Sequence, residues 1–180
     1  MLYFIFAIEI LFLLGFIFWV GSHLYSSIFH VPYVNATSSA IFDGLKFADL
    51  KKDENFIDLG SGRGDALIVA SRDFGANASG FEISPLPFLL SKIKTWRRKN
   101  IKITFGDFKK SAEILKTADV VYLYLLNEVL AKIEDWLFEN IGNNTRVVTL
   151  AFQFPKHQPI KISSTKNLGR QTKIFLYQKS

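Results

Sequence analysis

The 180-residue sequence contains no cysteine, so disulfides and cysteine-based metal sites are excluded. Its three histidines, His23, His30 and His157, show no metal-ligand spacing, and no metal site is expected. No Lys or Arg precedes Lys46, and Glu9 and Asp43 are the only acids before it. The sequence has no G-x-x-x-x-G-K-[ST] phosphate loop, which weighs against ATP. It shows no internal repeat and no low-complexity stretch beyond its apolar start.

Positive charge is confined to the chain beyond that start. Residues 46–180 carry 22 basic and 14 acidic side chains, a net +8. A basic body suits an anionic membrane surface, an acidic partner or nucleic acid, and it also suits a plain solvated surface. Leu2 to Val20 is an apolar run interrupted only by Glu9. As a helix at ~1.5 Å per residue it approaches the thickness of a bilayer core. Trp19 and Tyr25 suit a membrane interface. A signal peptide would want a basic start and a small-residue cleavage site, and neither is evident. The expectation is therefore residues 1–22 as a transmembrane anchor, 23–37 as a linker and cofactor-facing segment, and 38–180 as the catalytic body. The positive-inside rule puts that body in the cytoplasm of a single-pass membrane protein. Glu9 within the span either marks a partner contact or is protonated or reaches an interface.

Beyond Pro32 the pattern alternates strands and helices. Thr37 or Ser38 can cap a helix with Ile41, Leu45 and Ala48 on one face. Strands are expected at Phe56–Leu59, Ser79–Ile83, Ile101–Phe105, Val120–Leu123 and Arg146–Leu150. Ile160–Ile162 and Lys173–Tyr177 add a closing antiparallel pair joined through Gly169. Helices are expected from Ala66, from Pro85 through Leu89, Ile93 and Trp96, and from Val129 to Phe138. This predicts an α/β fold, a mostly parallel seven-stranded sheet with helices on both faces.

The first strand runs into Gly60-Ser61-Gly62-Arg63-Gly64-Asp65. The dinucleotide fingerprint G-x-G-x-x-G/A fails at Asp65, which weighs against NAD. A strand, a glycine loop and a helix still build a nucleotide-type pocket. Glu82, ending the second strand, can accept hydrogen bonds from both hydroxyls of a ribose. Asp107, after the third, can reach an adenine edge. Asp58 can hold the loop's N–H groups or an amino-acid end of the ligand. Three carboxylates at successive strand ends point to a shared cleft.

These residues resemble the Rossmann-like class I S-adenosylmethionine-dependent methyltransferases. The closer resemblance is to the membrane-anchored protein-lysine methyltransferases that act on the mitochondrial ATP synthase c-ring protein and on adenine nucleotide translocase, with their prokaryotic relatives. It extends from about Val31 to Tyr177. Val31-Pro32-Tyr33-Val34-Asn35-Ala36-Thr37 is similar to that family's V-P-[FY]-V-P-x-[TS], and Asp58-Leu59-Gly60-Ser61-Gly62 matches its cofactor loop. Glu82-Ile83-Ser84-Pro85 resembles E-L-N-P, Asp107-Phe108-Lys109 resembles D-L-W-K, and Phe152-Gln153-Phe154-Pro155 resembles F-P-F-P. Two positions depart: G-S-G-D-G-R is replaced by a loop with Arg63 and Asp65 exchanged, and Asn127 stands where proline is usual.

The resemblance implies S-adenosyl-L-methionine as cofactor, held by Thr37, Asp58, Gly60, Ser61, Gly62, Gly64, Glu82, Ile83, Asp107 and Phe108. It implies in-line attack on the sulfonium methyl, with Tyr33, Tyr124, Asn127 and Phe154 as candidates for the acceptor channel. Aromatic rings can hold a methylated ammonium by cation–π attraction; Tyr124 and Phe154 fit a core role equally. A cationic sulfonium and a dry pocket both lower an amine's pKa, so a dedicated base is not obligatory. A lysine of a small membrane protein is the leading acceptor. A quinone or lipid headgroup, or a non-enzymatic cofactor- or nucleic-acid-binding role, stands as the alternative, although residues 92–102 lack the aromatic interleaving of a single-strand platform.

Overall fold

The computed structural model describes residues 2–28 and 35–179. A first helix, α1 (Leu2–Ile28), is followed by α2 (Ser38–Phe47) and then by an alternating series. β1 (Asn55–Leu59), α3 (Asp65–Asp73), β2 (Asn77–Glu82), α4 (Pro85–Thr95) and β3 (Ile101–Phe105) form the first half. A 3₁₀ turn (Phe108–Ser111), α5 (Ala112–Leu115), β4 (Val120–Leu123), α6 (Asn127–Asn140), β5 (Arg146–Leu150), β6 (Lys161–Asn167) and β7 (Arg170–Gln178) complete it.

The strands form one seven-stranded sheet in the order β3-β2-β1-β4-β5-β7-β6. β7 runs antiparallel to β5 and β6, while the pairs among β1 to β5 are parallel. β1 is central and buried on both faces, which is why it reads as a near-continuous apolar run. Alternate strand residues feed two cores. Phe56, Tyr122, Val148 and Leu176 pack with α2 and α3. Ile57, Leu59, Val121, Leu123 and Tyr177 pack with α6 on the other side. Strand order reverses between β1 and β4, and at such a switch point the carboxyl ends leave a crevice for a ligand.

α2 starts as expected: the Thr37 hydroxyl accepts from the Ala40 N–H at 3.2 Å. Several boundaries differ from the expected ones, β2 for instance running Asn77–Glu82 rather than Ser79–Ile83. α1 continues past Ser22 to Ile28, because nothing in Gly21–Ile28 forbids helical geometry before Pro32. The closing strands are longer than their apolar centres, since β6 is an edge strand with a polar, largely exposed outer side. α6 begins at Asn127, two residues before the apolar face.

The β6–β7 turn is Leu168-Gly169, with φ of 49° and 78°. Two positive φ values mark a type I′ turn, for which Asn-Gly is favoured. Leu168 is exposed, so nothing offsets its backbone cost. Leu168→Asn is expected to stabilise the protein by about 0.5–2 kcal/mol. A higher urea midpoint with unchanged slope is the expected reading; a lower midpoint would refute the turn argument.

Candidate active site

Between β1 and α3 the chain must turn sharply while staying close to β2. Gly60, Gly62 and Gly64 all have positive φ (91°, 52° and 79°), which side chains rarely adopt. The loop is braced from β2. The Gly60 and Ser61 amides donate to the Phe81 carbonyl at 3.0 and 2.9 Å, and the Gly64 amide donates to the Ser61 carbonyl at 2.7 Å. Close approach also demands Gly80 in β2, where an added Cβ would sit 2.6 Å from Leu67 and 2.7 Å from the Ser61 hydroxyl. The first helical bond of α3 runs from the Ile68 amide to the Gly64 carbonyl. The amides of Asp65, Ala66 and Leu67 consequently lack intrahelical acceptors, as at any helix start.

Glu82 is buried and holds the loop from the end of β2. Its Oε2 accepts from the Gly62 amide at 2.7 Å, and its Oε1 accepts from the Ser84 amide at 2.6 Å. A carboxylate has about four acceptor positions, so each oxygen retains capacity for a hydroxyl. This assigns to Glu82 the loop-holding role that was one of two options for Asp58. Asp58 is buried beside it, without a cationic partner among the described residues. Burial, then the Glu82 and Asp65 carboxylates, push the Asp58 carboxyl well above the usual carboxylate range. A buried carboxyl in that condition gains from an incoming cation.

Asp107 follows Gly106, whose amide donates to the Glu82 carbonyl at 2.9 Å, so the ends of β2 and β3 are tied together. One Asp107 oxygen caps the Lys109 amide at 2.9 Å. Phe108 is half-buried, with its ring 5.9 Å from that of Trp136. Ile83 lies just past β2, also half-buried. The exchanged charges of the loop remain paired: Asp65 lies 3.9 Å from Arg63 and 2.8 Å from Lys94 of α4. Asp65 also opens α3, where a negative charge suits the helix dipole.

The structure buries both Ser61 and Phe154. The Ser61 amide is spent on Phe81, while its buried hydroxyl, packed near Gly80, has no hydrogen-bond partner among the described residues and stays available to a ligand. Phe154 is fully buried, with its ring 5.1 Å from Tyr177 and 5.3 Å from Phe138. It is a core aromatic rather than a channel wall. Tyr33, with Val31, Pro32 and Val34, lies outside the described residues.

Tyr124, just beyond β4, is half-buried, and Asn127 is exposed at the start of α6. Burial raises the Tyr124 phenol above its ordinary range, with Asn167 opposing, so it is a neutral hydroxyl. Asn167 and Glu134 were not expected from the sequence. Asn167 at the end of β6 accepts from the Thr37 amide at 2.8 Å and donates to the Tyr124 hydroxyl at 3.2 Å. It thereby joins the segment before α2 to the end of β4. Glu134 of α6 is fully buried, and its Oε1 accepts from the Lys156 and His157 amides at 2.9 and 2.7 Å. It fixes the loop after β5 that contains Phe152-Gln153-Phe154-Pro155.

The sheet order, braced glycine loop and strand-end acids define an S-adenosylmethionine-dependent methyltransferase, and comparison with known proteins agrees. Residues 58–161 match the ANTKMT methyltransferase domain, and the chain belongs to that family. It is 27% identical over 155 residues to a protein-lysine N-methyltransferase of Saccharolobus islandicus (strain REY15A), covering 82% of this chain and 93% of that one. It is 26% identical to the mouse adenine nucleotide translocase lysine N-methyltransferase, covering 73% of this chain and 58% of the mouse protein. The chain thus spans little more than half of that relative. Among solved structures, an RNA methyltransferase from Salinibacter ruber in complex with S-adenosyl-L-homocysteine superposes with a TM-score of 0.72 at 28% identity, covering 81% of this chain and 94% of that one.

The residues fit that cofactor. Three glycines open the loop to close approach, Glu82 keeps acceptor capacity, and Asp58 is a buried acid with no cationic partner among the described residues. Tyr122, paired with Asp58 across β1 and β4, also has a buried hydroxyl without a partner among the described residues.

Proposed function

We propose that this enzyme methylates a lysine of a membrane-associated protein, from a catalytic body held at the cytoplasmic face by α1. The observation that carries this reading is the joining of a methyltransferase cradle to a 20-residue apolar stretch, Tyr3–Ser22, that is exposed along nearly all of its length. That stretch is long and apolar enough to cross a membrane, a test that signal sequences also pass. The lysine acceptor is supported by the protein-lysine methyltransferases among its relatives, one of which is named for adenine nucleotide translocase.

S-adenosylmethionine, when bound, supplies a methyl group activated on a cationic sulfur. In this reading Glu82 takes the ribose hydroxyls while holding the Gly62 amide. Asp58 takes the cationic amino-acid end, and Asp107 with Phe108 and Ile83 borders the base. Thr37, tied to Tyr124 through Asn167, closes the acceptor side. Tyr124 and Asn127 then offer polar groups to an incoming amine. Orientation of this kind is the protein's main contribution when the cofactor carries the reactive group.

Membranes incubated with enzyme and methyl-labelled cofactor test the reading. Label on lysine of a small membrane protein is expected. Label confined to the lipid extract would move the acceptor to a headgroup or quinone. Label in RNA would favour the chemistry named for the Salinibacter structure, which the basic body permits.

A further inference from the structure

We propose that the outer face of α4 is a membrane-surface contact that seats the catalytic body on an anionic bilayer; the inference rests on the membrane-anchored reading above. α4 is built inside out. Its buried residues are Ser91 and Thr95, whose hydroxyls donate to the Phe88 and Ser91 carbonyls, and the half-buried Phe88 packs beside them against the core. Ser91 and Thr95 are small where α4 crosses the glycine loop closely: a Cβ on Gly64 would lie 3.3 Å from Ser91. The apolar residues recur on the opposite side at helical spacing. Leu89, Ile93 and Trp96 are 47%, 60% and 73% exposed, although buried positions are where such side chains ordinarily lie.

Two observations identify what covers this stripe. The first is charge. No acid occurs from Ile83 to Gly106, while six basic residues do. Lys94 is engaged by Asp65, but Lys92, Arg97 and Lys99 flank the stripe exposed to solvent. Arg97 lies over the Trp96 ring at 4.5 Å, a pairing suited to the boundary of headgroups and acyl chains. An apolar stripe bordered by cations is the pattern of a helix lying in an anionic interface. A second copy of this chain would bring the same cations together across the stripe. The second observation is position. The Leu86 amide, at the start of α4, donates to the Ser22 hydroxyl of α1 at 3.1 Å. Ser22 is the last residue of the span-length apolar stretch, so α4 begins at the level where that stretch ends.

The seating also gives the basic body a specific use. It holds the edge of the sheet nearest β3 against the bilayer, and so fixes how the cofactor crevice faces acceptors in the same membrane.

The absence of cysteine makes the test direct, because a single introduced thiol is the only one to label. Ile93→Cys, Phe12→Cys and Lys132→Cys each replace an exposed side chain of the full chain. Each variant receives a nitroxide and is placed in phosphatidylglycerol-rich vesicles. Collision with oxygen is then compared with collision with an aqueous nickel chelate. The Ile93 site should show an oxygen-to-nickel ratio several-fold above the Lys132 site, falling toward it when phosphatidylcholine replaces phosphatidylglycerol. An Ile93 ratio equal to that of Lys132, with Phe12 reading membrane-buried, would overturn the inference and leave the anchor intact. An Ile93 label shielded from both quenchers would also overturn it, in favour of a protein partner. A Phe12 label that reads aqueous would overturn the anchor itself, and this inference with it.

Discussion

Glu82→Ala should lower S-adenosylmethionine affinity at least ~100-fold, about 3 kcal/mol. The carboxylate does two jobs at once. It accepts the Gly62 and Ser84 amides at 2.7 and 2.6 Å, and it keeps acceptor positions for the ligand. Its removal takes the Glu82 acceptor from two buried N–H groups, and a buried N–H left unsatisfied costs about 1–3 kcal/mol. The loop should then relax before any ligand arrives. Glu82→Gln separates shape from charge: its amide satisfies one N–H but opposes the other with a donor. Gly62→Val attacks the same loop through its backbone, since a β-branched residue at φ 52° is strained by roughly 1–3 kcal/mol. Calorimetric titration with S-adenosylmethionine reads all three variants. Unchanged binding in both Glu82→Ala and Gly62→Val would sink the site assignment.

Much of this was legible beforehand, for identifiable reasons. β1 and the glycine loop declare themselves because a buried central strand must be apolar and a sharp turn over a ligand must be side-chain free. Glu82 is legible because it ends the strand that follows the glycine loop, in company with Asp58 and Asp107 at neighbouring strand ends. The face that a side chain takes is harder to read. Leu89, Ile93 and Trp96 show the spacing of a buried stripe, yet they face outward, and where α4 passes Gly64 it presents the small Ser91 and Thr95 instead. In Phe152-Gln153-Phe154-Pro155 the motif does not say which ring enters the core, and Phe154 does. Glu134 and Asn167 carry no local signal at all. Their main-chain partners include His157, 23 residues from Glu134, and Thr37, 130 residues from Asn167. Only the completed fold brings those groups within reach.

Asp58→Asn should act in opposite directions on stability and on binding. Asp58 is buried beside the Glu82 and Asp65 carboxylates, and its pKa in the folded protein lies well above the unfolded value. The sign follows from linkage. Below the unfolded carboxylate pKa the group is protonated in both states and costs nothing electrostatically. As pH rises toward the folded pKa, the unfolded chain ionises freely while the folded one resists, and stability is lost. Above the folded pKa the full penalty remains. Asparagine carries no such penalty. The variant should therefore match the parent at acid pH and exceed it at neutral pH by about 0.5–2 kcal/mol, as substitutions that relieve functional strain commonly do. Binding should move the other way. A cofactor with a cationic amino-acid end favours the ionised Asp58, so parental affinity should rise with pH up to the folded pKa and then level. Within that window binding should release a proton, visible as a dependence of the calorimetric heat on buffer ionisation. Asp58→Asn should bind more weakly by about 2–5 kcal/mol, the usual cost of breaking a buried charge pair, with no proton release. If the variant is instead less stable than the parent at neutral pH, Asp58 is held by the fold, and its carboxylate is not waiting for a ligand.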